Sequence, residues 1–592
     1  MRTSFLLSVI FVFLLTASAK AATESQTSTP TPQDVSASSA DDFSAATGRA
    51  DADQPQSPAQ VSEIMARVFK REKEEIEIIG SYSPIVETYI QTEKPDLLMG
   101  MTPRSDFYFL GQAKFHGNTM RIRSMLSKTH KGTIMWSFNP AGFLQMAFPD
   151  YGQFDKEHYQ LMDRGRTFLG DVRCYVFDVQ PLPNAKHARF VGRIWVEDQQ
   201  FTIVRMNGEY TPEMRFSPKT WEDQYYEHFD SWRINVKSGD WLPYEIYSQD
   251  MRNPPPSGGP RFKAKTHFWG YGISTKALGE EFGRLLVESQ NKVKDDSGGH
   301  DLSPLQQQRD WRTLSEENVF EVLQRAGLVA PEGDVDKVLN TIVNNILVTN
   351  HFDSRIEIKC RVMMTTDLEM FSMQNTIVLS RGLIDSVPNE EALAALLAFE
   401  IADAMEPKPA QDQYGFSDIL RLKPTQAMRK LSFVDTPDEA EKNSERAVEL
   451  LKNSPYGSKL GNAGIYLSQL QSQLPALKQL FGARLGNHVH FIAQLIQSAP
   501  PLDPASLQQA SALPMDSRIK IDPWSDRVSL MKTQQMGPIS PREKIPFEVT
   551  PISLYLTRYV ESSANGEHSI VPRSAMPVVE VASQNGTLRA KN

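Results

Sequence analysis

The sequence predicts an α+β protein, with a curved antiparallel sheet (a half-barrel) in its N-terminal part and a mainly helical C-terminal part. Between about residues 85 and 272, short aromatic-rich segments are separated by turn residues, which is typical of antiparallel strands. Between about residues 315 and 530, apolar residues recur at helical spacing, most clearly from Val335 to Leu347. A length of 592 residues suits more than one domain.

The N-terminus predicts export. Arg2 precedes an apolar run from Phe5 to Leu15, and small residues follow up to Ala21, which is typical of a signal peptide over residues 1–21. An uncleaved anchor is the alternative. Residues 22–60 are poor in large apolar groups, so we expect a disordered linker. No later stretch approaches about 20 uninterrupted apolar residues. We therefore expect a periplasmic or secreted protein with no transmembrane segment in the mature chain.

The β-rich domain is predicted over residues 61–275. Glu197–Gln200 separates two β-rich segments, which suits an antiparallel hairpin. A linker is predicted over 276–330, because its sequence is polar and interrupted by glycine. The candidate strands are Asp106–Leu110, Thr133–Phe138, Cys174–Val179, Phe190–Val196, Phe201–Met206, Trp232–Val236 and Trp241–Ser248.

The helical domain is predicted over residues 331–530, followed by a C-terminal extension and tail over 531–592. Two strands interrupt the helices, at Ile356–Met364 and Asn375–Ser380. A helix over Glu390–Met405 is predicted because Asn389 is a good N-cap and two acids occupy its first turn. Its remaining residues are mostly Ala and Leu, so we expect this helix to be buried.

Composition excludes several function classes. Lys and Arg total 63 against 72 for Asp and Glu, a net charge of -9, which argues against a nucleic-acid partner. Two cysteines, Cys174 and Cys360, are too few for a disulfide scaffold or a thiolate zinc site. Whether they pair stays open. The sequence holds no nucleophile elbow, phosphate-binding glycine loop or dinucleotide fingerprint, so we expect no cofactor.

The helical domain resembles the HtpX and BepA family of zinc metallopeptidases over Asp334–Val528. In that family a strand and a Gly-Leu-Leu turn precede a helix that bears HExxH, and Gly382 lies at the corresponding turn here. The resemblance implies a peptidase scaffold. The segments that carry it are Asn375–Ile384, Pro388–Asp403, Ala447–Tyr456 and Leu513–Ile519.

This sequence departs from the family at the metal ligands. HExxH places two imidazoles on one helix face and lets the intervening Glu activate a zinc-bound water. Here Phe399 and Asp403 stand where the histidines should be, and only Glu400 is retained. The third ligand falls at Ala440, and Glu439 or Glu441 would need a one-residue slip. Leu513 replaces a later histidine. We therefore predict no metal and an inactive site, with zinc only if the enzyme alternative holds.

Other interpretations of these residues remain open. Glu400 and Asp403, with Glu439 or Glu441, could bind a hard cation, since carboxylates suit calcium or magnesium. We favour a surviving polar face with raised carboxyl pKa or a nearby Arg partner. His488 and His490 form the only close histidine pair, and we expect ordinary surface histidines on a helix.

The β-rich domain resembles the LolA-like envelope carriers, through Phe168–Val179, Arg189–Asp198 and Ile203–Arg205. That resemblance implies an open sheet around apolar cargo such as an acyl chain. The alternative is that the aromatic residues simply fill a core.

These observations predict a secreted envelope protein in which an inactive metallopeptidase-like domain is a protein-binding scaffold and the β-domain binds a lipid or lipoprotein. The alternatives are an active zinc metalloendopeptidase and a lipid carrier alone. An envelope protein or peptide is the expected partner, paired with the edge of the Asn375–Ser380 strand. The candidate binding residues are Phe399, Asp403, Asn375 and Ser380.

Overall fold

The computed structural model describes the chain from residue 58 to residue 559, with gaps. The predicted signal peptide, the tail from 565 and the predicted strand over 133–138, except Phe138, lie outside the described residues. The described ranges are 58–97, 100–116, 119–126, 138, 140–183, 189–211, 227–237, 239–250, 261–272, 303–352, 357–406, 408–491, 512–515, 518–531 and 545–559.

A ten-stranded antiparallel sheet dominates the first half, in the order β3-β2-β1-β10-β9-β8-β7-β6-β5-β4. The sheet is open, and together with the helices of the second half it confirms the predicted α+β fold class. The predicted hairpin is confirmed as β6 and β7. Its strands are β1 (Ile85–Asp96), β2 (Gly100–His116), β3 (Thr119–Ser124), β4 (Tyr159–Leu169), β5 (Val172–Pro181), β6 (Phe190–Glu197), β7 (Ile203–Tyr210), β8 (Glu227–Lys237), β9 (Asp240–Asp250) and β10 (Arg261–Trp269).

Both faces of the central strands are covered, because alternate side chains along a strand point to opposite sides. On β1, Val86 and Ile90 join an apolar cluster with helix α1 (Pro58–Ile79). Their neighbours Ile85 and Tyr89 join the core of the helical region instead. We call the first side the α1 face and the second side the opposite face.

The helical region contains a small sheet and the remaining helices. Its sheet consists of β11 (Lys359–Met363), β12 (Met370–Met373) and β13 (Thr376–Ser380), and a two-stranded hairpin, β14 (Ile519–Ile521) and β15 (Val528–Leu530), lies further on. The α-helices are α2 (Pro140–Gln145, in the sheet region), α3 (Pro304–Arg325), α4 (Asp334–Thr349), α5 (Arg381–Ser386), α6 (Glu390–Ala404), α7 (Ala427–Lys430), α8 (Pro437–Lys452) and α9 (Leu460–Gln473).

Helix α3 lies inside the segment that the sequence predicts as a linker. Ser303 caps it by accepting a hydrogen bond from the amide of Gln306, and Pro304 occupies its first turn. Its apolar face is short, with Val319, Val322 and Leu323 buried near its C-terminus. The linker prediction is therefore wrong over this segment, because tertiary contacts stabilise a helix whose sequence is mostly polar.

Buried polar groups fasten the opposite face of the sheet to the helical region. One Glu87 oxygen accepts hydrogen bonds from the Tyr108 hydroxyl and the Thr366 amide, each 2.6 Å long. The other oxygen lies 3.1 Å from the Arg381 guanidinium. Asp106 accepts a 2.6 Å bond from the Leu480 amide. The domain boundaries stay a prediction, but the two regions share one core. Among the described residues, no helix is long and apolar enough to cross a membrane.

Candidate functional site

Helix α6 presents the retained carboxylate. Asn389 caps it with a 2.9 Å bond from the Ala392 amide to the side-chain oxygen, as the sequence predicts. Every residue from Ala392 to Asp403 is buried, which confirms the predicted burial. The helix is therefore surrounded by protein here, and the side chains of Phe399, Glu400 and Asp403 are all buried.

Glu400 pairs with a histidine that is 88 residues away in sequence. One Glu400 oxygen lies 2.7 Å from Nδ1 of His488, and both side chains are fully buried. Phe399 packs edge-on against the same imidazole, with ring centroids 5.5 Å apart. The prediction that His488 is a surface residue is therefore wrong, whereas His490 is exposed as expected. The predicted helix here is also wrong, because only a 3-10 turn forms, at His488–Phe491.

Asp403 is held by a lysine. The ammonium of Lys408 lies 2.6 Å from Asp403 and 2.5 Å from Asp435. The amide of Asn443 donates to both carboxylates, at 2.9 and 3.2 Å. Nε2 of His488 lies 3.2 Å from a carboxylate oxygen of Asp435, so His488 contacts both Glu400 and Asp435. We call Glu400, Asp403, Lys408, Asp435 and His488 the charged cluster.

Burial and mutual attraction set the protonation of the charged cluster. Burial raises the pKa of Glu400 to about 7, partly opposed by His488. Burial alone would lower the pKa of His488, but Glu400 and Asp403 outweigh it and raise this pKa to about 10. Burial raises the pKa of Asp403 as well. The bonds from His488 and Lys408 outweigh burial at Asp435 and hold its pKa below the ordinary range.

Three residues of the charged cluster lie close enough together to hold a metal ion, and each is also bound by other groups. Ligand atoms of Glu400, Asp403 and His488 lie within 4.8 Å of one another, close enough to surround a metal. However, a metal-binding imidazole must lose its proton, and the carboxylates around His488 oppose this by raising its pKa to about 10. Both oxygens of Asp403 already accept hydrogen bonds from Lys408, Ser372 or Asn443. The ammonium of Lys408 thus supplies positive charge next to Asp403 and Asp435.

The candidates for the third ligand lie elsewhere. Ala440 is buried in α8, and its neighbours Glu439 and Glu441 are exposed. Glu439 instead accepts a 2.8 Å bond from the Thr436 amide and so caps the helix. Leu513, at the later histidine position, donates its amide to the Ser386 carbonyl. A hard-cation site that includes Glu439 or Glu441 is therefore not assembled.

The predicted edge for peptide binding does not exist. Strand β13 lies between β11, which is parallel to it, and β12, which is antiparallel. Both of its hydrogen-bonding edges are thus occupied, and the prediction of edge pairing is wrong. The Ser380 hydroxyl is buried and caps α5 by accepting from the Leu383 amide. Asn375 is exposed at the turn before the strand.

The second candidate site is the α1 face of the sheet. Its apolar cluster contains many aromatic side chains, and α1 and α2 pack against it. Two charged residues cross this layer: the guanidinium of Arg233 forms two 2.7 Å bonds to Glu72 of α1. The fully or nearly buried aromatic members are Phe115, Phe138, Phe143, Phe148, Phe154, Tyr159, Phe177, Phe190, Phe229, Phe262, Phe268 and Tyr271.

Half-buried apolar side chains continue this cluster at its margin. They include Phe107 on β2 and Met120 and Ile122 on β3, the edge strand. Phe201 stacks on Tyr175 at the other end of the sheet, with centroids 6.1 Å apart. The interior of the cluster fills a core, as the packing alternative predicts, and its margin leaves apolar surface accessible.

Comparisons with known proteins leave the family of this chain open. No protein-family model matches it, and no curated protein matches it; the metallopeptidase resemblance thus gains no support and stays a prediction. Three solved structures align with about a third of the chain.

A DUF1329 family protein from Desulfovibrio piger is 11% identical, with 34% of this chain and 89% of that chain covered and a TM-score of 0.16. MucB in complex with MucA(peri) is 9% identical, with 35% and 93% covered and a TM-score of 0.12. The MucA/MucB complex of Pseudomonas aeruginosa is 10% identical, with 37% and 96% covered and a TM-score of 0.14. Likenesses at these TM-scores carry no conclusion about function.

Proposed function

We propose that this protein is a secreted, non-catalytic binding protein of the cell envelope. In this proposal the sheet takes up an apolar or lipidated ligand on its α1 face, and the helical region is the scaffold that supports the sheet. Export rests on the sequence pattern of residues 1–21, which lie outside the described part of the chain.

The burial of Glu400 supports the non-catalytic part of the proposal. A general base must reach a water molecule and a substrate. Glu400 is instead enclosed and bonded to His488, and Asp403 is bonded to Lys408. These contacts are internal ion pairs, and removal of one partner from such a buried pair destabilises a fold. The carboxylate that the peptidase resemblance singles out is thus a structural group.

The margin of the α1 face supports the binding part. Ligand sites are mostly apolar surfaces with a few polar groups, and Met120 and Ile122 extend such a surface to the open edge of the sheet. An acyl chain could lie along it without breaking a hydrogen bond. The polar residues of β3, such as Arg121, are exposed between these apolar side chains.

The test compares an N-palmitoylated peptide with the same peptide without its acyl chain, both titrated into the purified full chain. We expect saturable binding of the acylated peptide only. Ile122→Asn should weaken it about tenfold, because burying one such side chain contributes roughly 1.5–3 kcal/mol. The matched variant Arg121→Asn, one residue away on the strand, should bind as the unmodified protein does.

Equal binding of the two peptides, or binding of neither, would contradict the lipid-binding proposal. The enzyme alternative is tested by a different measurement. It requires a cleavage product that the purified protein forms and the Glu400→Gln variant does not.

A further inference from the structure

A small cavity lies on the opposite face of the sheet, away from both sites described above. Its volume is about 160 Å³, and it is lined by residues of β9, β10, β14 and the segment 550–554. A cavity of about 150 Å³ holds one benzene molecule. Pro551 and Ser553 line it and are exposed, so the cavity is open to solvent at this side.

Charged side chains line this cavity beside its apolar walls. Glu245 lies 3.2 Å from the ammonium of Lys265 and 3.9 Å from the His267 ring, and all three side chains are buried. Lys520 of β14 lines the same cavity and is within electrostatic range of the same carboxylate.

Lys520 is the group without a counter-charge of its own. Within the described part of the chain, its ammonium forms no ion pair and no hydrogen bond. Burial lowers the pKa of this half-buried lysine, because removing an ammonium from water is unfavourable unless it is paired. Arg381 also lines the cavity, but its guanidinium already bonds Glu87.

We infer that this cavity binds a small organic anion, in which a carboxylate or phosphate group pairs with Lys520 and a short apolar body fills the remaining space. Charge-assisted hydrogen bonds to an ammonium are among the stronger polar contacts. Met531, Ile552 and Leu554 supply apolar walls for the body of the ligand. This ligand is distinct from the one proposed for the α1 face, which lies on the other side of the sheet.

The test is calorimetric titration of the purified full chain with sodium benzoate at constant ionic strength. Benzyl alcohol is the neutral control of nearly the same shape, and inorganic phosphate tests whether an oxyanion alone suffices. We expect one benzoate per chain and binding of benzyl alcohol at least about tenfold weaker, since the neutral hydroxyl forms no charge-assisted contact with Lys520. Phosphate binding as tight as that of benzoate would support an anion site but overturn the apolar part of the inference.

Two pairs of variants locate the site. Lys520→Met keeps the aliphatic stem and should weaken benzoate binding about tenfold, whereas Lys156→Met, at an exposed position, should change nothing. If Lys520→Met fails to fold, Ser553→Asp at the cavity mouth should weaken binding and the isosteric Ser553→Asn should not. No saturable binding of either anion up to about 10 mM, where the affinity would be negligible, or benzoate binding that these variants leave intact, would overturn the inference.

Discussion

The aromatic cluster on the α1 face and the charged cluster around Glu400 are both filled by the chain itself, yet they differ in what holds them. Apolar contacts on the α1 face are non-directional, so one apolar group can replace another at small cost. In the charged cluster each ion needs its particular partner, and removal of one leaves a buried charge uncompensated. In the proposed function, a ligand exchanges with apolar neighbours at the margin of the first cluster, whereas the ions of the second bind one another.

The largest effect that separates the clusters is expected from His488→Ala. This change leaves Glu400 and Asp435 without the cation between them, and breaking a buried ion pair in this way costs about 3–5 kcal/mol. Urea unfolding measures it. The control is His490→Ala, which removes one hydrogen bond to the Phe481 carbonyl and should cost only about 1 kcal/mol. Similar costs for the two variants would show that the cluster does not stabilise the fold.

The pH dependence of unfolding sharpens the same point. The pKa of His488 is raised from its ordinary value to about 10, so its contribution is fully present below about pH 6.5 and is lost as pH rises through 10. Between pH 7 and 9 we expect the free energy of unfolding to fall by up to about 1.4 kcal/mol per pH unit from this group. His488→Gln should lack that dependence. Parallel pH curves for the two proteins would contradict the assignment.

A smaller effect is expected from Glu400→Gln. The amide keeps the shape of the side chain but replaces an oxygen with an NH2 group beside His488, and a weakened buried polar contact costs about 1–3 kcal/mol. Because burial raises the pKa of Glu400 to about 7, its protonation stabilises the fold at low pH. That stability is lost between about pH 4.5 and 7, so the cost of the variant should be larger at pH 5 than at pH 8. Binding of the acylated peptide should be unchanged, which peptide titration checks.

The smallest effect is expected in the aromatic cluster, from Ile194→Val. Ile194 is fully buried on β6, and removal of one buried methylene costs about 0.5–1.5 kcal/mol. Thermal unfolding measures the change. A cost as large as that of His488→Ala would erase the difference between an adaptable apolar cluster and a closed charged one.

Local signals predicted the elements of both regions well. The cap at Asn389 and the Ala-Leu composition predicted α6 to within one residue of its end, and alternation predicted the β6–β7 hairpin. These features depend on neighbouring residues, so periodicity and capping suffice. Helix α3 was predicted as a linker, because its sequence is mostly polar and its buried face is short.

The contents of the charged cluster could not be predicted in the same way. His488 meets Glu400 across 88 positions, and Lys408 meets Asp435 across 27, so both pairs depend on how the elements pack. The apolar residues around His488, among them Leu485 and Val489, were a usable sign of burial. The central place of β13 likewise depends on strand order, which alternation along one strand does not reveal.

The claim that the charged cluster holds the fold and not a metal is tested most directly by the zinc content of the natively purified chain. Elemental analysis should give well below about 0.1 zinc per chain, because Lys408 already lies between the carboxylates and the raised pKa of His488 opposes loss of its proton. A content near one zinc per chain that is lost in Glu400→Gln would contradict the account and restore the peptidase.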